Sequence, residues 1–267
     1  MSALFELIRG RIPLLVSFPH SGTFLPRDIA ERMTDVAHTL PDTDWHVPVL
    51  YSFLNEIGAS RIVATHSRYV VDLNRPPDSA ALYPGQKNTG LVPSETFDSR
   101  PLYNNGQTPG DREIGERRVR YYAPYHHALK AELDRISAAH GYAFLWDAHS
   151  IRREVPDLFE GHLPDLNIGT NSDASAPQSI GEVLLETGRA TGLSCVLNGR
   201  FKGGHITRHY GRADSKMFAV QLEMAQAIYM DEEVPYAFDE GRAPRVQAAI
   251  RQLINAYLSV AERHFRR

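Results

Sequence analysis

The feature that most constrains this chain is the alternation of short, uninterrupted apolar runs with stretches of helical periodicity. Residues 12–18, 61–65, 69–73, 142–146 and 218–222 are apolar runs, each closed by a polar cluster. Runs this short suit strands covered on both faces, as in a mostly parallel sheet. Between them, residues 47–57 put Val47, Leu50, Phe53, Leu54 and Ile57 on one helical face, with Gly58 as a stop. Residues 121–140, 180–191 and 244–264 repeat the spacing of three and four, and Pro244 suits a first helical position. The pattern predicts an α/β fold, a mixed and mostly parallel sheet flanked by helices. Ligands bind beyond the carboxyl ends of the strands in sheets of this class, where the polar clusters fall.

Two segments break the pattern. Residues 76–111 are rich in proline, glycine, serine and asparagine, and their length exceeds an ordinary connection, so they read as either a functional loop, which could close over a site, or a locally mobile one. Residues 156–179 read as a second irregular region. With no repeat, low-complexity tract or linker, residues 1–267 are expected to form one domain.

Charge and cysteine content narrow the function. The net charge of −3, with no basic face or aromatic platform, argues against a nucleic-acid partner. No apolar stretch approaches the roughly 18 residues that span a bilayer, and no basic leader with a following apolar run opens the chain. A cytoplasmic protein is the expectation. Cys195 is the single cysteine, which excludes an intrachain disulfide and a cysteine-rich zinc site, and it reads as a small core residue. No feature specifies an oligomeric state. The acidic cluster Asp231-Glu232-Glu233 and the basic tail Arg263, Arg266 and Arg267 read as solvated surface.

The 12 histidines are informative through their placement. Pro19-His20-Ser21-Gly22 and Asp147-Ala148-His149-Ser150 each put a histidine just past a predicted strand, beside small residues that permit close approach. Either alone could cap a turn; two at neighbouring strand ends favour metal ligation. A catalytic zinc takes three protein ligands from histidine and carboxylate and keeps one position for water. The third ligand is expected from Pro41-Asp42-Thr43-Asp44-Trp45, with Asp44 favoured over Asp42, and Asp147 would orient a ligand from behind. His66, His126, His127 and His140 lack that setting.

Asn74-Arg75 follows a predicted strand, and an arginine fork beside an amide suits a carboxylate, although Arg75 could equally pair with Asp72. The segment from Asn198 to Gly211 mixes glycines with Arg200, Lys202, His205, Arg208, His209 and Tyr210. Close backbone approach and positive charge suit an anionic small molecule. The lysine precedes the paired glycines and no Gly-Lys-Ser/Thr follows, so a phosphate-binding P-loop is not supported. Glu223 ends an apolar run, so its carboxylate must be paired with an arginine or must line a site as a general base.

Taken together, Pro19-His20-Ser21-Gly22, Asp42-Thr43-Asp44-Trp45, the run from Ser67 to Pro76, Asp147-Ala148-His149-Ser150 and the glycine-rich segment resemble the N-formylglutamate amidohydrolase family over nearly the whole chain. That family is distantly similar to zinc carboxypeptidases and acylamino-acid deacylases. The resemblance implies a zinc-carboxypeptidase-like, or phosphorylase-hydrolase-like, fold. It implies Zn2+ held by His20 and His149, Asn74 and Arg75 on the substrate's α-carboxylate, and Glu223 as general base and acid. Arg200, Lys202, His205 and Arg208 become candidates for the substrate's side-chain carboxylate. Thr23 stands where carboxypeptidases place a glutamate ligand, so the third ligand must come from elsewhere. The implied substrate is a small N-acyl amino acid, N-formyl-L-glutamate first, cleaved in the last step of a histidine-degradation route. An N-acetyl or N-succinyl deacylase and a non-catalytic dicarboxylate-binding protein are the alternatives.

Overall fold

The computed structural model describes residues 3–79 and 89–265. Seven strands form one sheet: β1 (Phe5–Ile8), β2 (Leu14–Phe18), β3 (Ser60–Ala64), β4 (Ala143–Ile151), β5 (Leu166–Gly169), β6 (Cys195–Leu197) and β7 (Met217–Ala225). Their order across the sheet is β1-β3-β2-β4-β7-β5-β6. The β3–β2, β2–β4, β4–β7 and β5–β6 pairs are parallel, whereas β1–β3 and β7–β5 are antiparallel. This is the mixed, mostly parallel sheet that the apolar runs predict.

Helices cover both faces: α1 (Arg27–Ala30), α2 (Asp35–His38), α3 (Val47–Leu50), α4 (Leu54–Ile57), α5 (Asp111–Arg117), α6 (Ala123–His140), α7 (Gln178–Ala190), α8 (His205–Tyr210) and α9 (Ala243–Arg263). One face packs Val16, Trp146, Ala148, Val220 and Leu222 against α3, α7 and α9. There, α9 buries Val246, Ile250, Leu253 and Tyr257 at the predicted helical spacing. The other face packs Leu15, Leu145 and Ala219 against Tyr125, Leu129 and Leu133 of α6. A π-helical turn, Arg118–Tyr122, leads into α6.

Several expectations need correction. Residues 69–73 form no strand. Tyr69, Val70, Val71 and Leu73 are buried, but their backbone groups bond elsewhere: Asp72 N–H to the Leu91 carbonyl, and the Tyr69 and Val70 carbonyls to Arg117 Nη1. The apolar run reports burial, and side chains replace the ladder. The helix expected over 47–57 is two single turns, α3 and α4. The region 156–179 contains β5, four residues with Asn167 in the middle, too short to show periodicity. β1, β6, α5 and α8 carry no sequence signal strong enough to predict them. In the long segment 76–111, residues 80–88 lie outside the described residues, while Leu91, Val92, Leu102 and Tyr103 join the α6-side core.

Candidate active site

The alternation of β4 and β7 builds the site. On the α6 face β4 presents Ala143, Leu145, Asp147 and His149 in turn, and β7 presents Ala219, Gln221 and Glu223. Side chains two residues apart share a face, and the register sets His149 beside Glu223, Asp147 beside Gln221, and Ser17 of β2 beside Asp147. Apolar residues therefore give way to polar ones along the same face toward the carboxyl ends. Asp147, His149 and Glu223 lie inside the strands rather than just past their ends, because β4 and β7 stay paired to Ile151 and Ala225.

His20 lies two residues beyond β2. Gly22 lets this turn press onto the chain after β3: a Cβ there would stand 2.2 Å from the His66 carbonyl oxygen. The Asp44 N–H donates to the His20 carbonyl at 3.1 Å, and Gln226 Nε2 donates to the Thr43 carbonyl at 2.9 Å, which brings the loop 42–44 against the histidine. Asp44 Oδ2 then lies 3.0 Å from His149 Nδ1 and 3.8 Å from His20 Nδ1. The opposite ring nitrogens face other carboxylates, His20 Nε2 at 2.7 Å from Asp72 Oδ1 and His149 Nε2 at 3.0 Å from Asp147 Oδ2. His20, Asp44 and His149 are all buried and each offers a ligand atom within 4.8 Å of the others, the only such group among the described residues.

This donor set fits a metal ion. Two ring nitrogens turn toward one carboxylate oxygen, and a carboxylate behind each ring holds its orientation. Burial and Arg68 push the His20 pKa below its ordinary value, against Asp72 and Asp44, which favours the neutral imidazole a ligand needs. At His149 burial is outweighed by Asp147 and Asp44, which hold its pKa well above the ordinary value. The field at that ring favours positive charge. Asp42, the other candidate ligand, turns away: its Oδ2 accepts from Tyr69 Oη at 2.8 Å and from the Phe97 N–H at 3.0 Å.

These residues open into a cleft of about 660 Å³, counted out to its solvent-open mouth. Its polar wall includes Glu223, Gln221, Arg68, Asp72, Arg75 and Arg200, and Phe97, Ile151, Leu158 and Phe201 form an apolar side. Glu223 is 7 % exposed. Burial, helped by Asp44 and Asp147 and opposed by His149 and Arg68, pushes its pKa up to about 8. Its carboxylate accepts from Gln221 Nε2 at 3.2 Å, and no arginine stands at ion-pair distance among the described residues. Gln221 is itself oriented, because its Oε1 accepts the Gly204 N–H at 2.7 Å.

The remaining predicted residues divide. Asn74 and Arg75 both line the cleft. The Asn74 amide donates to Asp147 Oδ2 at 3.1 Å and lies 2.9 Å from His149 Nε2, while its oxygen accepts the Ile206 N–H at 2.7 Å. Arg75 Nε stands 3.8 Å from Asp72, whose close partner is Arg68 at 2.5 Å. Arg200 lines the cleft and donates to the Leu158 carbonyl at 2.8 Å. His205 and Arg208 are not among the lining residues: the His205 ring packs with Tyr122, His126 and His209, and Arg208 Nε donates to the Gly203 carbonyl. The glycines serve close packing, since a Cβ at Gly204 would stand 2.3 Å from the Asn74 amide nitrogen. Cys195 is half-buried, and burial raises its thiol to about 11, which suits a packing residue.

Arg68, Asp72, Gln221 and Phe97 line the cleft without having been predicted. Three carried a usable signal. Arg68 and Asp72 are charges at the start of and within an apolar run, much as Glu223 ends one, and Gln221 precedes Glu223 by the two residues that share a strand face. Burial opposes ionisation of Asp72, yet Arg68 and His20 hold its carboxylate well below the usual range.

Fold and site define an α/β enzyme with a candidate metal-binding cleft toward the carboxyl ends of its central strands. More particularly, the chain belongs to the N-formylglutamate amidohydrolase family, whose sequence model it matches over residues 12–230. It is 49% identical over 264 residues to an N-formylglutamate deformylase of Pseudomonas aeruginosa, covering 97% of either chain. It is 46% identical to an N-formylglutamate deformylase of Pseudomonas putida, over the full length of both. The crystal structure of N-formylglutamate amidohydrolase from Ralstonia eutropha JMP134 matches with a TM-score of 0.81 at 25% identity, over 98% of each chain. No helix among the described residues is long and apolar enough to cross a membrane.

Proposed function

We propose that this chain hydrolyses N-formyl-L-glutamate to formate and L-glutamate, using a divalent metal held by His20, Asp44 and His149. The observation that carries the reading is the meeting of those three donors, within 4.8 Å of one another, in a cleft that Glu223 and the arginines also line. Two imidazoles and one carboxylate are a donor set zinc favours, although cobalt, manganese or iron would accept it. When bound, the ion supplies Lewis acidity, lowering the pKa of water and polarising the formyl oxygen.

The chain's residues do the rest. Glu223, in the pKa range useful for proton transfer near neutrality, takes a proton from the attacking water. The water oxygen bonds to the formyl carbon, the C–N bond breaks, and Glu223 delivers its proton to the departing nitrogen. Arg68, held by Asp72, keeps a fixed positive charge beside the site against which charge on the former carbonyl oxygen is stabilised. Arg75 takes the α-carboxylate and Arg200 the side-chain carboxylate. Asn74, whose amide is engaged by Asp147, holds the His149 ring beside them. His205 and Arg208 receive no substrate contact in this reading.

The reading takes residues 1–267 as one domain, because all seven strands share one sheet and the cleft draws on residues from His20 to Glu223. It keeps the cytoplasmic placement and the last step of a histidine-degradation route as its context. Formate release from N-formyl-L-glutamate, on untreated, chelated and zinc-restored protein, is the test. Release abolished by chelation and restored by zinc is expected. Metal-loaded protein that releases no formate would remove the substrate, and release that survives complete extraction of the metal would remove its role.

A further inference from the structure

Phe97 separates two spaces. Phe97 lines the cleft, and with Ser150 and Ile151 it also lines a second, narrow space of about 150 Å³, counted out to solvent, whose wall includes Pro41, Asp42, Arg152 and Gln226. The ring is held in place. Its backbone N–H donates to Asp42 Oδ2 at 3.0 Å, two residues from the ligand Asp44. The Arg68 guanidinium stands 4.8 Å from the ring centroid. The preceding residue, Thr96, is closed into a turn by reciprocal bonds with Arg100, N–H to carbonyl at 2.9 Å and N–H to Oγ1 at 3.1 Å. Phe97 itself is 7 % exposed.

We infer that Phe97 sets the size of acyl group this site accepts, by filling the wall between the cleft and the narrow space beside it. The inference rests on the proposed deformylase reading, in which the arginines Arg75 and Arg200 take the carboxylates of the amino acid. That leaves the acyl carbon to the wall beside Asp44 and Arg68, where the Phe97 ring stands. A formyl carbon carries only hydrogen, whereas an acetyl carbon carries a methyl group that must displace something in a packed wall. One methylene in a fitted pocket changes kcat/KM by roughly 10–200-fold. Removing the ring vacates its own volume between the cleft and the narrow space and gives that methyl somewhere to go.

The experiment measures kcat/KM for N-formyl-, N-acetyl- and N-propionyl-L-glutamate on metal-loaded wild type and on Phe97→Ala, Phe97→Leu and Phe201→Ala. Wild type should favour formyl over acetyl by at least about tenfold. Phe97→Ala should lower that ratio about tenfold or more, chiefly by gaining on the acetyl substrate, with Phe97→Leu intermediate. Phe201, which lines the cleft but not the narrow space, is the control, and Phe201→Ala should leave the ratio where it was. Because all three substrates are read on one preparation, partial misfolding cancels from the ratio. An unchanged ratio in both Phe97 variants, or the same change in Phe201→Ala, overturns the filter while wild-type formate release still supports the activity. Wild type that releases no formate overturns the activity and the filter with it.

Discussion

At the scale of single residues, the cleft holds carboxylates that differ in surroundings rather than in kind. Glu223 is buried beside other acids and keeps a raised pKa of about 8, whereas Asp72 is equally buried yet held low by Arg68 and His20. Replacing Glu223 by Gln preserves its shape and would remove the proton transfer proposed for it. The expected result is a kcat lower by about 10²–10⁴-fold with KM and bound metal little changed, read by steady-state kinetics and elemental analysis. Metal loss in that variant would place Glu223 among the ligands instead. Asp42 and Asp44 make a second comparison. Asp44→Ala should abolish stoichiometric metal binding. Asp42→Ala should keep the metal but lower unfolding stability by about 1–3 kcal/mol, because Tyr69 Oη and the Phe97 N–H lose their buried acceptor. Urea titration and metal analysis of both proteins decide it, and metal loss on changing Asp42 alone would reverse the assignment. The residue types were legible in the sequence here. Which of two aspartates faces His149 was not, since a loop of fixed composition can present either one.

At the scale of elements, α6 and α8 meet through a histidine cluster rather than through apolar contact alone. His126 lies 2.9 Å from Tyr210 Oη and 2.8 Å from the Leu73 carbonyl, and its ring stacks on Tyr122. Burial pushes the pKa of His126 down to about 3 and that of His205 down to about 4, with His209 lowering the latter further. The unfolded chain would protonate both near 6.5. As pH falls below that value the unfolded state takes up protons the folded state refuses. Their contribution to stability is therefore complete above about pH 6.5 and is lost progressively toward pH 3–4. Glu223 acts the other way, since its raised pKa favours the folded state as pH falls from 8 toward 4.5. The measurable quantity is a difference: the urea midpoint of His126→Gln should fall less than that of wild type between pH 7.5 and 5. Parallel falls would deny the cluster this role. In the elements themselves, long periodic stretches such as α7 and α9 were readable, and so were the central strands. Residues 69–73 were misread because their apolar side chains are buried without a ladder, and β5 escaped because four residues cannot display a period.

At the scale of the whole molecule, the chain assembles its site from segments far apart in sequence. The strand order puts β2, β4 and β7 side by side, so Ser17, Asp147, His149, Gln221 and Glu223 come onto one face. The sequence by itself determined the α/β class, the central strands, the long helices and the chemical inventory of histidines, aspartates, arginines and one strand glutamate. Those follow from periodicity and from residue types whose burial would otherwise be costly. Only the tertiary structure decided that Asp44 rather than Asp42 lies between the two histidines, and that Arg68 is the nearer partner of Asp72, with Arg75 Nε at 3.8 Å. It also left His205 and Arg208 out of the cleft lining and set Phe97 between two spaces. Periodicity is a property of neighbours along the chain. These choices depend on strand register and on how loops close over the sheet, and both are set by contacts between residues that the sequence keeps far apart.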